Sequence, residues 1–117
     1  MTPSARLTHP IDDQLLELIA RHFRVLAEPM RLKLLDALRD GDATVQDLQQ
    51  ATGASQQNIS KHLGVLLGAG LVSRAKDGNF SRYTIADASV FDLCEQVCGG
   101  LLRHLDEREA LFRATLS

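Results

Sequence analysis

The sequence predicts a mainly helical fold with one β-hairpin set between the fourth helix and a long last helix. Three observations carry that reading. Apolar residues recur at helical spacing in four segments, and a capping box marks a fifth, short helix between the second and fourth. The third and fourth of these five helices are separated only by Gly53-Ala54-Ser55. The stretch 71–85 breaks the helical pattern and places two β-prone runs around the turn cluster Asp77-Gly78-Asn79.

Each element has its own local cause. Residues 1–10, "MTPSARLTHP", form an expected flexible arm ending at Pro10, ahead of one domain spanning 11–117. The first helix covers 12–27 and aligns Leu15, Leu18, Ile19, Phe23 and Leu26 on one face; Asp12 and Asp13 suit its positive N-terminal end. Pro29 fits the first turn of the second helix, Leu32, Leu35 and Leu38 are its expected buried stripe, and Gly41 ends it. Thr44 with Asp47 three residues on is a capping box for a short third helix, which Gly53 closes. Ser55 caps the fourth helix, which runs to about Ala69 with Ile59, Leu63, Leu66 and Leu67 as its stripe. After the hairpin, Asp87 caps a last helix over 88–116, and Gly99-Gly100 should weaken it.

Length and composition bound the function. The chain has 117 residues, 44% hydrophobic and 24% charged, which favours one modest globular core. No apolar run is long enough for a membrane span, and the N-terminus lacks the apolar stretch of a secretory signal. The expected compartment is therefore the cytoplasm, with both cysteines reduced. Net charge is only −2, but it is unevenly spread. Residues 54–83 hold four bases (Lys61, Arg74, Lys76, Arg82) and one acid, Asp77; the remainder holds nine bases and fourteen acids. A basic strip on an acidic body suits a local phosphate contact.

The fourth helix sharpens that point. Gln56, Gln57, Asn58, Ser60, Lys61 and His62 crowd its first two turns, far more hydrogen-bonding capacity than a purely structural helix needs. Two helices joined by a three-residue turn form a helix-turn-helix, whose second helix docks in the major groove of DNA. A hairpin directly behind that helix is a wing, so the whole is a winged helix-turn-helix.

These segments resemble the arsenical-resistance-regulator family of small bacterial winged-helix repressors. "LAEPMRLKLLDAL" (26–38) is similar to the family's Leu-x-x-Pro-x-Arg-Leu motif, and 55–85 is similar to its recognition helix and wing. The resemblance implies a homodimer built on the first and last helices that binds double-stranded operator DNA and releases it on a signal. Gln56, Gln57 and Asn58 offer paired donors and acceptors to adenine. Ser55, Ser60 and Lys61 are phosphate candidates, His62 a further contact, and Arg74, Lys76, Asn79 and Arg82 the wing contacts. Ser55 serves equally well as a cap alone, and Tyr83 is expected to pack the wing on the core.

The same resemblance directs attention to metal sites. Members with a thiolate site carry Cys-x-Cys ahead of Asp-Leu in the third helix; here the segment is "ATVQDL". Members with a last-helix site carry Asp-x-His at its start; here Asp87 is followed by Ser89, and "HLDE" (104–107) lies about one turn late. What remains is Cys94 and Cys98, whose i, i+4 spacing puts both thiols on one helix face. No cofactor is certain. The pair suits a soft metal or metalloid, or a redox response, if two copies bring four sulfurs together; it equally suits small apolar residues packed in a helix–helix interface. Two other function classes compete with the repressor: an interaction module that has lost DNA binding, and a small thiol enzyme. The first is disfavoured by Lys61 and the wing bases, the second by the lack of a base within helical reach of Cys94.

Overall fold

The structure is a computed structural model that describes residues 7–116. The expected N-terminal arm therefore lies outside the described residues apart from its last four. The element order is α1 (Asp13–Leu26), α2 (Pro29–Leu38), α3 (Val45–Thr52), α4 (Gln56–Gly68), β1 (Val72–Asp77), β2 (Phe80–Ile85) and α5 (Ser89–Leu116). The chain divides into two compact units, one up to Ala86 and one from Asp87 onward.

In the first unit local chemistry starts and stops each helix. The Asp12 carboxylate accepts a hydrogen bond from Gln14 N at 3.3 Å and caps α1. Pro29 opens α2, where its missing N–H costs nothing. Thr44 Oγ1 accepts from Asp47 N at 3.1 Å while Thr44 N donates to Asp47 Oδ2 at 3.0 Å, a complete capping box at α3. Gly53 then takes φ +75°, a left-handed conformation that lets the chain reverse before α4 begins two residues later. Ser55 Oγ accepts from Asn58 N at 3.2 Å and caps α4.

The core of this unit joins α2, α3, α4 and the start of the hairpin. Leu34, Leu35, Leu48, Ile59, Leu63, Leu66 and Leu71 are essentially inaccessible to water. Fully burying each such side chain contributes about 1.5–3 kcal/mol. Leu32 was expected in the buried stripe of α2, but it is exposed, and Leu34 takes its place beside Leu35 and Leu38. The spacing of 34, 35 and 38 is equally helical, and packing against α3 and α4 selects that face.

The wing is an antiparallel pair in the register Val72↔Ile85 through Asp77↔Phe80. Its two-residue turn has Gly78 at φ +64° with no positive φ at Asn79, the pattern of a II′ hairpin turn. Tyr83 is buried, as expected, and its backbone exchanges two hydrogen bonds with Ala43, at 3.1 and 2.8 Å. That bridge ties the wing to the segment leading into α3.

The second unit is α5. Asp87 Oδ1 accepts from Ser89 N at 3.0 Å and from Ser89 Oγ at 2.6 Å, so Asp87 caps the helix as expected. The helix runs unbroken through Gly99 and Gly100. Val97, Leu101, Leu102, Leu105, Leu111 and Phe112 are all exposed along it.

Candidate nucleic-acid interface

On α4, helical geometry sorts the six polar residues into two faces. Gln56, Gln57, Ser60 and Lys61 fall at i, i+1, i+4 and i+5, and all four are exposed. Asn58 is half-buried. Ile59, Leu63 and Leu66 occupy the opposite face and are fully buried.

His62 belongs with that second set. It was expected to reach DNA, but it is only 6% exposed. Its position completes the spacing 59, 62, 63, 66, so the helix turns it inward. There its Nδ1 accepts a hydrogen bond from Arg31 Nε at 3.1 Å. His62 is therefore removed from the candidate contacts and placed in the interior.

Ser55 spends its hydroxyl on the Asn58 amide, as a cap. The wing bases divide in the same way. Arg74 and Lys76 are exposed on β1. Cross-strand pairing puts both on the hairpin face shared with Ser81 and Tyr83. Arg82 lies on the other face, diagonal to Asp77, and its Nε donates to Asp77 Oδ2 at 2.8 Å. Its Nη1 also lies 3.9 Å from Asp42 Oδ1. The Asp77 hydrogen bond, with the charge of Asp42 behind it, raises the Arg82 pKa further above an already high value. Among the described residues, Arg82 alone of the candidate bases is seen with its charge answered by carboxylates.

Between the N-terminal end of α4, the start of α3 and the wing tip lies an open groove of about 470 Å³. Gln56 and Asn79, both expected contacts, face it, together with Gln46, Gln49 and Phe80. A surface of amide side chains next to an exposed helix front can follow a sugar–phosphate strand and read base edges beside it. Sequence reasoning missed Phe80, which is 58% exposed at the wing tip, and Arg31 and Asp42. Phe80 had a signal: an aromatic residue directly after a Gly-Asn turn cannot be deep in a core. Arg31 had one as well, since it is the arginine of the Leu-x-x-Pro-x-Arg-Leu motif, but its partner 31 residues away was not legible; Asp42 had none.

Cys94 and Cys98 are exposed thiols on α5. Among the described residues, no group of three or more His, Cys, Asp or Glu gathers where it could hold a metal ion. No helix among them is long and apolar enough to cross a membrane.

Comparison with known proteins agrees with this geometry. A family model described as "Bacterial regulatory protein, arsR family" matches residues 28–74, from the start of α2 into β1. The chain is 39% identical over 92 residues to a probable mercury resistance operon repressor of Streptomyces lividans, covering 79% of this chain and 69% of that protein. It is 34% identical to Rv0081 of Mycobacterium tuberculosis, whose crystal structure superposes with a TM-score of 0.72 over 83% of this chain and 98% of that one. A homodimeric winged helix-turn-helix DNA-binding domain from Mycobacterium bovis gives a TM-score of 0.69 at 32% identity, over 83% and 95% of the two chains. With the helix-turn-helix, the wing and these relatives in agreement, the chain belongs to the arsR family of bacterial regulatory proteins and is a winged-helix transcriptional regulator.

Proposed function

We propose that the protein is a homodimeric repressor of the cytoplasm that reads a palindromic operator with α4, steadies it with the wing, and lets go on a signal at Cys94 and Cys98. The observation that carries the DNA reading is the exposed quartet Gln56, Gln57, Ser60 and Lys61 on α4, beside the groove to the wing. Gln56 and Gln57 have the bidentate amides that pair with adenine, and Lys61 meets phosphate. Ser55, Asn58, Arg74, Lys76, Asn79 and Arg82 complete the contact set, while catalysis forms no part of this reading.

Homodimerisation is supported by apolar side chains that the described residues leave exposed. Leu15, Leu16, Leu18 and Phe23 on α1 are exposed, as are Leu101, Leu105 and Phe112 on α5. Exposed apolar area of this extent marks an interaction surface. A second copy is the simplest occupant, since a two-fold operator calls for a two-fold protein.

The signal is supported more narrowly. Cys94 and Cys98 lie one turn apart and open to solvent. Two thiolates can hold a two-coordinate soft ion, and a second copy's pair would make four sulfurs. The likeness to a probable mercury resistance operon repressor favours a thiophilic metal over a purely packing role.

The test is fluorescence anisotropy with genomic fragments against random duplexes. The expected result is a preferred palindrome with half-sites about one helical turn apart and an affinity that falls steeply with salt. No preference over random DNA overturns the reading. Sedimentation should show a dimer at micromolar concentration, and a stable monomer there overturns the assembly. Adding Hg(II) should weaken operator binding about 5- to 150-fold in the wild type and leave a Cys94→Ser/Cys98→Ser variant unmoved; equal responses remove the cysteines from the mechanism.

A further inference from the structure

The helix-turn-helix unit holds a half-buried cation with no carboxylate in ion-pair range among the described residues. Arg31 sits in the first turn of α2, half-buried, and among the described residues it makes no ion pair. Its guanidinium instead donates to two neutral acceptors. Nε–H reaches His62 Nδ1 on α4, and Nη1–H reaches the Val25 carbonyl near the end of α1, both at 3.1 Å.

Each bond answers a need created by the sequence. In a continuing helix the Val25 carbonyl would accept from the amide four residues on, but that residue is Pro29, which has no N–H. Arg31 fills the vacancy and places its charge at the negative end of the α1 dipole. His62, buried between apolar neighbours, needs a donor for Nδ1, and Arg31 supplies it. The bond uses Nδ1 as an acceptor and so fixes the orientation of the ring between α2 and its own helix. One planar fork thus binds three helices at once: the α2 backbone that carries it, the end of α1 and the middle of α4.

We propose that Arg31 is a positioning residue that sets the register of the recognition helix α4 against α1 through His62, and so sets DNA specificity without touching DNA. This rests on the DNA-binding reading above. His62 follows Ser60 and Lys61 directly on α4, so a shift of its ring displaces the side chains that face DNA. The inward face of α4 is otherwise apolar, and apolar packing tolerates small slides that a directional hydrogen bond does not. A lysine at position 31 keeps the charge but has a single ammonium, which cannot span two acceptors in the same fork geometry.

The experiment uses a duplex selected from a random-sequence pool by the wild-type protein, with a scrambled duplex as control. Binding is measured at a temperature where circular dichroism shows every variant folded. Arg31→Lys and His62→Leu should each lose about tenfold or more in affinity for the selected duplex, with losses below about threefold on the scrambled one. The double variant should lose no more than Arg31→Lys alone, because His62 acts only through its bond to Arg31. His62→Asn, whose Oδ1 stands where Nδ1 stood, should stay near the wild type. If His62→Leu does not fold, Arg31→Lys and His62→Asn carry the same contrast. Additive losses, equal losses on both duplexes, or His62→Asn as damaged as Arg31→Lys overturn the proposal. A wild type that selects no duplex removes the DNA-binding reading and this inference with it; a wild type that selects one while the cycle is additive removes this inference alone.

Discussion

The helix-turn-helix unit and α5 are built from similar leucine-rich helices, yet they use their leucines in opposite ways. Leu34, Leu35, Leu48, Leu63 and Leu66 are sealed from water. Leu101, Leu102, Leu105 and Leu111 are each more than half exposed. Amphipathic spacing alone does not distinguish these cases. What distinguishes them is supply: α2, α3, α4 and the hairpin cover one another through short connections, whereas α5 forms a compact unit of its own. An apolar helix face left uncovered by its own chain is material for assembly, and an apolar face covered by it is material for stability.

The largest expected effect tests that division directly. Leu34→Ala should lower the stability of the folded protein by about 2–5 kcal/mol, because it opens a cavity in a site with no exposure. Leu101→Ala, with the side chain 59% exposed, should change the stability of the isolated chain by less than about 0.5 kcal/mol. Denaturant midpoints at low protein concentration check both. At micromolar concentration Leu101→Asp should shift sedimentation towards monomer, since it sets a charge in the proposed seam. Equal effects of the two alanine variants at low concentration would erase the contrast between the regions.

Next in size is the cap on α3. Thr44→Ala removes one half of a reciprocal pair at 3.1 and 3.0 Å. It should cost about 0.5–2 kcal/mol, read as a lowered urea midpoint with unchanged slope. A smaller loss than that of Leu34→Ala would place the unit's stability in its core rather than in its helix ends.

Asp47 sharpens the same point through pH. Hydrogen bonds from the Thr44 backbone amide, and then from its side chain, hold the Asp47 carboxyl below the ordinary carboxylate value. Its folded pKa lies below its unfolded one. Its contribution to stability is therefore fully present above the unfolded pKa, about 4, and is lost as pH falls through the lower folded value. The urea midpoints of the wild type and Asp47→Asn should differ at pH 6 and converge towards pH 3. Curves that stay parallel into acid would show that the carboxylate's charge adds nothing to the cap.

What the sequence disclosed follows the range of each interaction. The capping box at Thr44 and Asp47, the Ser55 cap, the Gly53 turn and the Asp87 cap all lie within a few residues of their partners, and each was legible. His62 was misread because its partner, Arg31, lies 31 residues away, and a histidine beside Lys61 looks like surface until that partner is known. Its spacing with Ile59, Leu63 and Leu66 was a signal available and outweighed by its polarity. Leu32 and Leu34 point to opposite sides of α2, and only the helices packed on it decide which side is buried. The exposed quartet on α4 was legible as a cluster, while its division from Asn58 and His62 needed the helix to be seen against its neighbours.

The smallest expected effect concerns the wing, where the helix-turn-helix unit's own surface is not uniformly open to DNA. Lys61 on α4 has no ion pair among the described residues, whereas Arg82 is held by Asp77 at 2.8 Å and approached by Asp42 at 3.9 Å. A phosphate must compete with those carboxylates before Arg82 can contribute a released counterion. An exposed pair of this kind is weak and screened by solvent, so the competition is mild. Asp77→Asn should leave stability close to that of the wild type and raise affinity for all duplexes alike, by about two- to fivefold. The salt slope should steepen by up to about one unit, since one more base is free to meet phosphate. Arg82→Ala should weaken binding uniformly, and adding Asp77→Asn to it should restore only what removing a nearby negative charge restores at long range. Anisotropy titrations at several salt concentrations read all three. An Asp77→Asn variant with unchanged affinity and slope would mean that Arg82 stays with Asp42 or takes no part at the DNA, leaving Arg74 and Lys76 as the wing's phosphate contacts.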